Sequence, residues 1–284
     1  MKRVLIAGEG SYIGEAFRRY MAKWPDRYVI ESLDVSVQAW RQHDFFGYDT
    51  VCMVAGIVHI KENPENQSLF YRVNRDLALE IAQRARDAGV RQYIYLSSMS
   101  VYGLTEGEIG RETPLNPKNS YARSKAQAET ALQALRTPAY QVAILRIPMV
   151  YGRGCKGNFK MVEKIALASP FFPRVYNRRS MIYIGNLCEF LRMAIECNLD
   201  GIFFPQNREY VCTYEMARLV ARANGKTLYP GYVTGFVIGL MKRYSGTLQK
   251  AFGSLAYRDT ETSGYAYCLT SFEESIKEMY AEKK

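Results

Sequence analysis

The sequence predicts an α/β fold: a doubly wound parallel sheet followed by a smaller, mostly helical C-terminal region. Three observations predict it. In the first half, short apolar runs alternate with stretches of helical periodicity, the pattern of a parallel sheet covered on both faces. The first of these runs leads straight into a glycine-rich turn, GEGSYIG at residues 8 to 14. Beyond about residue 150 the regular alternation fades.

The strands expected, in order, are 3–7 (RVLIA), 28–33 (YVIESL), 50–54 (TVCMV), 92–97 (QYIYLS) and 141–147 (QVAILRI). Each is a short apolar run of strand length bounded by polar or turn residues. Between them, 12–22, 68–88 and 120–135 read as helices. The middle one carries Leu69, Val73, Leu77, Ile81 and Ala85 four residues apart, and Gly89 is placed to end it. Further on come a helix at 158–168, a loop rich in Pro and Arg, the run MIYI, a helix at 185–197 and the run IFFP. The last 75 or so residues suggest two or three helices with a tyrosine-rich connection.

Composition excludes more than it selects. A chain of 284 residues, 48% apolar and 23% charged, is long enough for a large core and is ordinary for a globular protein. Lys and Arg outnumber Asp and Glu by 38 to 28, a net +10 that favours anionic partners: phosphorylated ligands, nucleic acid or an acidic membrane face. The basic residues are dispersed and form no recognised binding motif, so nucleic acid is not expected. The six cysteines include no C-x-x-C pair and read as free thiols of a reducing compartment. With only His43 and His59 present, no metal site is expected. The N-terminus enters a strand without the pattern of a signal peptide, so the expectation is a cytoplasmic protein. The apolar segment at 231–241 is too short to span a bilayer. With Lys242, Arg243 and Lys250 beside it, it reads as a helix packed in the core with a solvated basic edge, peripheral membrane contact being the alternative.

The turn after the first strand carries the first functional signal. Gly8, Gly10, Ser11, Tyr12, Ile13 and Gly14 would set backbone N–H groups and the positive end of a helix against a diphosphate. Gly8 suits the tight turn, and Gly14 suits close packing of helix on sheet, as in a Rossmann-type dinucleotide site. Asp34 lies at the end of the second strand, where a carboxylate would hold a ribose 2′-hydroxyl, and the nearest arginine downstream is Arg41. That arrangement favours NAD over NADP. A solvated aspartate at a strand end is the alternative for Asp34.

The second signal is NSYARSK. Tyr121 and Lys125 are four residues apart on one helix and so share a face. A phenol with a reference pKa of about 10 is a poor base at neutral pH, and an adjacent ammonium favours its ionised form. The pair makes an acid/base unit. The spacing alone is common on helix surfaces, so its context matters.

In order along the chain, GEGSYIG, VAGIVH, LSSMSVYG, SYARSK and LRIPMVYGRG resemble the extended short-chain dehydrogenase/reductase family, in particular its NAD-dependent epimerase/dehydratase group acting on nucleotide sugars. The resemblance implies Tyr121 as base, Lys125 as its partner that also holds the nicotinamide ribose, and Ser98 as the third catalytic hydroxyl, with Ser97 and Ser100 as neighbours. It implies cofactor contacts at Ala55, Gly56 and Pro148, an asparagine at Asn74 that ties the central helix to the sheet, and a homodimer built on the helices 68–88 and 120–135. The domains implied are 1–152 for NAD, with 177–206 returning to it, and 153–176 with 207–284 for substrate. Arg179 resembles an arginine that meets the nucleotide diphosphate, and Met149 stands where some relatives carry a substrate-contacting asparagine.

Two departures bear on the reaction. The family's dehydratases carry Asp and Glu after the catalytic Thr; this chain has Met99 and Ser100, which sets dehydration aside. Ser180 and Asn186 replace two further aspartates. The resemblance therefore implies a 4-epimerase of a UDP-hexose or UDP-N-acetylhexosamine with NAD as cofactor. The alternatives are a reductase of the same fold and a non-catalytic dinucleotide-binding protein.

Overall fold

The computed structural model describes residues 1–58, 60–241, 245–258 and 264–281. These fall into two compact units: Met1–Gly103 with Pro114–Ile147 and Leu187–Pro205, and Leu104–Thr113 with Pro148–Asn186 and Gln206–Lys284.

The first unit is built on β1 (Lys2–Ala7), β2 (Tyr28–Leu33), β3 (Thr50–Met53), β4 (Gln92–Ser98), β6 (Gln141–Ile147) and β10 (Gly201–Phe203), numbered in chain order. They form one sheet in the order β10-β6-β4-β3-β1-β2, and every pairing is parallel. The five expected strands all form. β3 and β4 are buried along nearly their whole length, which is why they read as unbroken apolar runs rather than alternating ones. The helices are α1 (Tyr12–Met21), α2 (Gln67–Tyr71), α3 (Ala78–Asp87), α4 (Ser120–Gln133) and α6 (Ile184–Glu196), the last reaching the first unit from Leu187. α2 and α3 are the expected 68–88 helix, joined by wide π-type turns at Arg72–Leu77. The helix stops at Gly89, whose φ is +82°. A core of Leu5, Val51, Met53, Ile81, Ala85 and Tyr95 lies between the sheet and α3 and α4, which is how Ile81 and Ala85 come to be fully buried.

The second unit is assembled from three two-stranded parallel ladders: β5 (Gly107–Ile109) with β12 (Leu255–Tyr257), β7 (Met149–Tyr151) with β9 (Met181–Tyr183), and β8 (Phe171–Pro173) with β11 (Tyr229–Gly231). Around them lie α5 (Asn158–Ala168), α7 (Thr213–Ala223), α8 (Tyr232–Met241), α9 (Gly246–Phe252) and α10 (Phe272–Ala281).

The structure corrects the sequence reading in three places. The boundary expected at 152 falls at Ile147, and the returning segment begins at Leu187 rather than 177. The reason is strand pairing: β7 pairs with β9, and β5 pairs with β12, so these short strands leave the six-stranded sheet. Among the described residues the C-terminal part holds four helices instead of two or three, because Pro230–Gly231 and the capping Ser245 divide it more finely. The apolar segment at 231–241 is not packed in the core. In α8 only Gly235 is buried, while Val233 and Phe236 are 78% and 69% exposed. Lys242 and Arg243, which the sequence reading set beside it, lie outside the described residues, as does the side chain of Lys250.

Candidate active site

The turn after β1 sits where the strand order reverses, with β2 on one side of β1 and β3 on the other, the position at which open α/β sheets bind ligands. Gly8 has φ +132°, and a Cβ there would lie 2.7 Å from the Ala55 nitrogen, so the close approach of the turns after β1 and β3 requires glycine. Ser11 is the N-cap of α1: its Oγ accepts from the Gly14 N–H at 3.2 Å. Tyr12 and Ile13 open the helix, whose first turn presents N–H groups that have no intrahelical acceptor. The chain thus offers the backbone cradle that a diphosphate needs. Ser11 in place of a glycine does not spoil this cradle, because its side chain is turned to the cap.

Asp34 is partly exposed and closes a local turn. Its Oδ1 accepts from the Ser36 N–H at 2.8 Å and from the Ser36 hydroxyl at 2.6 Å, and these bonds hold its carboxyl below the usual range. Arg41 is committed elsewhere: its Nε and Nη2 form a fork on the Glu80 carboxylate, both at 2.8 Å.

The catalytic candidates come together at the C-terminal end of β4 and on the first two turns of α4. Asn119 caps α4 by accepting from the Ala122 N–H at 2.8 Å, and Glu62 accepts from the Ser120 N–H and hydroxyl at 3.1 and 2.6 Å. This fixes the helix start on which Tyr121 sits. The Ser98 and Ser100 hydroxyls lie beside the Tyr121 phenol; burial pushes its pKa up, the two serines pull it down, and the net effect is upward. Ser98 Oγ accepts from the Ser100 N–H at 3.1 Å and from the Ser100 hydroxyl at 3.0 Å.

Lys125 is buried, donates to the Leu96 carbonyl at 2.8 Å and lies 4.5 Å from the centre of the Tyr95 ring. Burial brings its pKa down to about 7, against an opposing pull from Glu129. Gly56 faces it: a Cβ there would come within 3.1 Å of Asn74 Oδ1 and 3.3 Å of Lys125 Nζ. Asn74, fully buried in the π-type turns, holds this loop by accepting from the Ile57 N–H at 2.9 Å and donating to the Ile57 carbonyl at 3.1 Å. The ammonium has three donors, of which Leu96 takes one.

One set of residues was missed in the sequence. The carboxylate of Glu129 is 1% exposed and accepts a forked bond from Arg146, with Nη2 at 2.6 Å and Nε at 3.0 Å. It also accepts from the Ser97 hydroxyl, and Arg146 Nη1 donates to the Tyr102 hydroxyl at 2.7 Å. The signal was present: Glu129 continues the four-residue spacing of Tyr121 and Lys125 on the same helix face.

The candidates of the second unit stand as follows. Pro148 is buried, and Met149 is half-buried on β7. Arg179 pairs through its backbone with Val211, and its Nη1 donates to the Gly253 carbonyl at 2.8 Å; burial lowers its pKa. Ser180 and Asn186, the two replacements for aspartate, serve the frame. Ser180 Oγ accepts from the Tyr257 N–H at 2.8 Å, and Asn186 exchanges hydrogen bonds with the backbone of Thr270 at 2.9 and 3.1 Å. The amide at 186 both donates and accepts, which a carboxylate cannot do.

A family model described as the NAD dependent epimerase/dehydratase family matches residues 4–202. A UDP-glucose 4-epimerase of Vibrio cholerae is 27% identical over 229 residues, covering 77% of this chain and 70% of that protein. An N-acetyl-alpha-D-glucosaminyl-diphospho-ditrans,octacis-undecaprenol 4-epimerase of Escherichia coli O157:H7 is 29% identical over 168 residues, which is 57% of this chain and half the length of that relative. Among solved structures, a UDP-glucuronic acid 4-epimerase of Bacillus cereus in complex with NAD superposes with a TM-score of 0.74 at 15% identity, covering 98% of this chain and 96% of that one. That likeness shows the fold, a Rossmann-like parallel sheet with flanking helices.

Proposed function

Because the chain belongs to the NAD dependent epimerase/dehydratase family, we propose that it is a nucleotide-sugar 4-epimerase acting on a UDP-hexose or UDP-N-acetylhexosamine. The observation that carries the reading is the placement of Tyr121 and Lys125 one turn apart on α4, with the Ser98 hydroxyl acting on the Tyr121 phenol. In this reading the first unit holds NAD at the turn 8–14, Ala55, Gly56 and Lys125. The second unit holds the nucleotide sugar, with the Arg179 guanidinium suited to its diphosphate. The same reading makes the protein a cytoplasmic homodimer, on the support of the family resemblance.

The same reading divides the chemical work among these residues. Tyr121 removes the proton of the sugar 4-hydroxyl while Ser98 donates to the same oxygen region and holds it in place. A buried ammonium at Lys125 steadies the ionised phenol and orients the cofactor ribose. NAD bound in this site supplies the acceptor, and later the donor, of the sugar-carbon hydride. After the keto sugar has turned its other face, Tyr121 returns the proton and the epimer leaves. Dehydration would need an acid and a base beside Ser98, and the chain places Met99 and Ser100 there. The commitment of Arg41 to Glu80 supports NAD over NADP, since Arg41 is the nearest arginine downstream of Asp34 in the sequence.

The test is conversion of UDP-glucose or UDP-N-acetylglucosamine to its galacto epimer by purified protein without added cofactor. Replacing Tyr121 with Phe is expected to lower kcat by about 10²- to 10⁴-fold, the range of general acid–base catalysis. Full activity in that variant would sink the mechanism, and net consumption of NADH with a keto sugar would make the protein a reductase.

A further inference from the structure

Helix α8 is apolar around its whole circumference; Thr234 and the Tyr232 hydroxyl are its only polar side-chain groups. A helix of that composition is ordinarily sunk in a core. Here Tyr232, Val233, Phe236, Leu240 and Met241 are all more than half exposed. The apolar surface continues beyond the helix, because β11 runs directly into α8 and pairs with β8, bringing exposed Tyr229 and Phe171 side by side with ring centres 5.9 Å apart. The attachment is one-sided. A Cβ on Gly235 would lie 2.6 Å from the Arg174 carbonyl, so α8 is seated at Gly235 on the segment after β8 and turns its bulky side chains outward.

The stretches of chain that form this face are poor in carboxylates. No carboxylate side chain occurs between Glu163 and Glu189, or between Glu215 and Asp259, while both stretches carry several lysines and arginines. Arg174 lies over the rings of Tyr176 and Tyr232 at 5.1 and 5.2 Å, donates to the Tyr232 hydroxyl at 2.5 Å and has no carboxylate partner among the described residues. Tyrosines that offer an apolar ring and a polar tip, beside a cation and an exposed apolar helix, match the chemistry of a lipid–water boundary.

We propose that the face formed by α8 with Phe171, Tyr176 and Tyr229 docks on the surface of an anionic lipid bilayer. Its apolar side chains enter the boundary between headgroups and acyl chains, and Arg174 meets lipid phosphates. Ten helical residues span about 15 Å, half the hydrocarbon core, so the helix lies in the plane of the membrane and does not cross it. A second copy of the chain is a poorer occupant. A two-fold contact would set these cation-rich, carboxylate-poor stretches against themselves, and like charges disfavour that, whereas an anionic bilayer complements them. The docking rests on this surface and not on the reaction, so either can fail alone.

The experiment is sedimentation of the purified full chain with phosphatidylcholine vesicles, with and without phosphatidylglycerol, at low and at high salt. Binding is expected to the phosphatidylglycerol vesicles at low salt and to weaken at high salt. The double variant Val233→Asp, Phe236→Asp alters two exposed side chains and is expected to keep the parent's melting temperature while its vesicle partition falls at least about tenfold. Arg174→Gln is expected to remove part of the salt-sensitive binding. Absence of binding to the anionic vesicles at low salt, or equal binding by the double variant, overturns the proposal. So does a vesicle-free dimer that the double variant dissociates, because that outcome gives the face to a second copy.

Discussion

At Lys125 the structure places an ionisable group with a sign that can be worked out. Its folded pKa, about 7, lies below the ordinary lysine value of about 10.4. The unfolded chain therefore holds more protons between these values, and this group makes stability rise as pH increases through that window; below about 7 both states are charged and the cost is fully present. Lys125→Met should flatten the slope of unfolding free energy between about pH 7 and 9, as read by urea denaturation of the cofactor-free protein. An unchanged slope would show that the lysine is not held in a lowered state. Ser11 offers a second test at this scale. As the cap of α1 it should cost about 1 kcal/mol when replaced by Ala but only a few tenths when replaced by Gly, with NAD retained in the Gly variant. Much of the site was legible because Gly8, Tyr121 and Lys125 are tied to backbone geometry that spacing encodes. Ser36, which takes up the Asp34 carboxylate, was not, since hydrogen bonding within a turn leaves no period in the sequence.

The element that organises the candidate site is α4, which carries Tyr121, Lys125 and Glu129 on one face. Its position is set by long-range bonds: Glu62 at its start, Leu96 at Lys125, and Arg146 from the neighbouring strand β6 at Glu129. Removing one partner of a buried pair leaves the other charge uncompensated, a cost of about 3–5 kcal/mol. Glu129→Gln retains shape and loses charge, so it isolates this effect. The expected result is a large drop in the urea midpoint, while Glu80→Gln, at a partly exposed pair, moves it little. Comparable small shifts in both variants would show that the Glu129 charge contributes nothing special. Strands β1, β3 and β4 and helix α3 were readable because each buries a continuous run or a stripe at helical spacing. The three-residue strands of the second unit were not, because a ladder that short carries too few residues to show a period, and its pairing partners lie far away in sequence. The fate of α8 was also hidden: an apolar run looks the same whether a core or a membrane covers it.

Taken as a whole, the chain joins a sheet-based unit with a dinucleotide cradle to a unit made of short ladders and helices, and the two should respond differently to ligand. A cofactor that binds only the native state protects the amides it contacts and adds RT ln(1 + [L]/Kd) to stability, about 2.7 kcal/mol at a hundredfold excess over Kd. Hydrogen exchange with NAD should therefore slow at residues 8–14 and 54–57 of the first unit, where the turn and the Gly56 loop lie against each other. NADP should protect the same segments more weakly at equal concentration. Its 2′-phosphate would need a cation near Asp34, and Arg41 is already paired with Glu80 in a forked ion pair. Replacing Glu80 with Gln frees that guanidinium and should narrow the difference between the two cofactors. Equal protection by NAD and NADP in the parent protein would remove Arg41 and Asp34 from the account of cofactor choice, while leaving the cradle at Gly8 and the triad at Ser98, Tyr121 and Lys125 to be judged by activity.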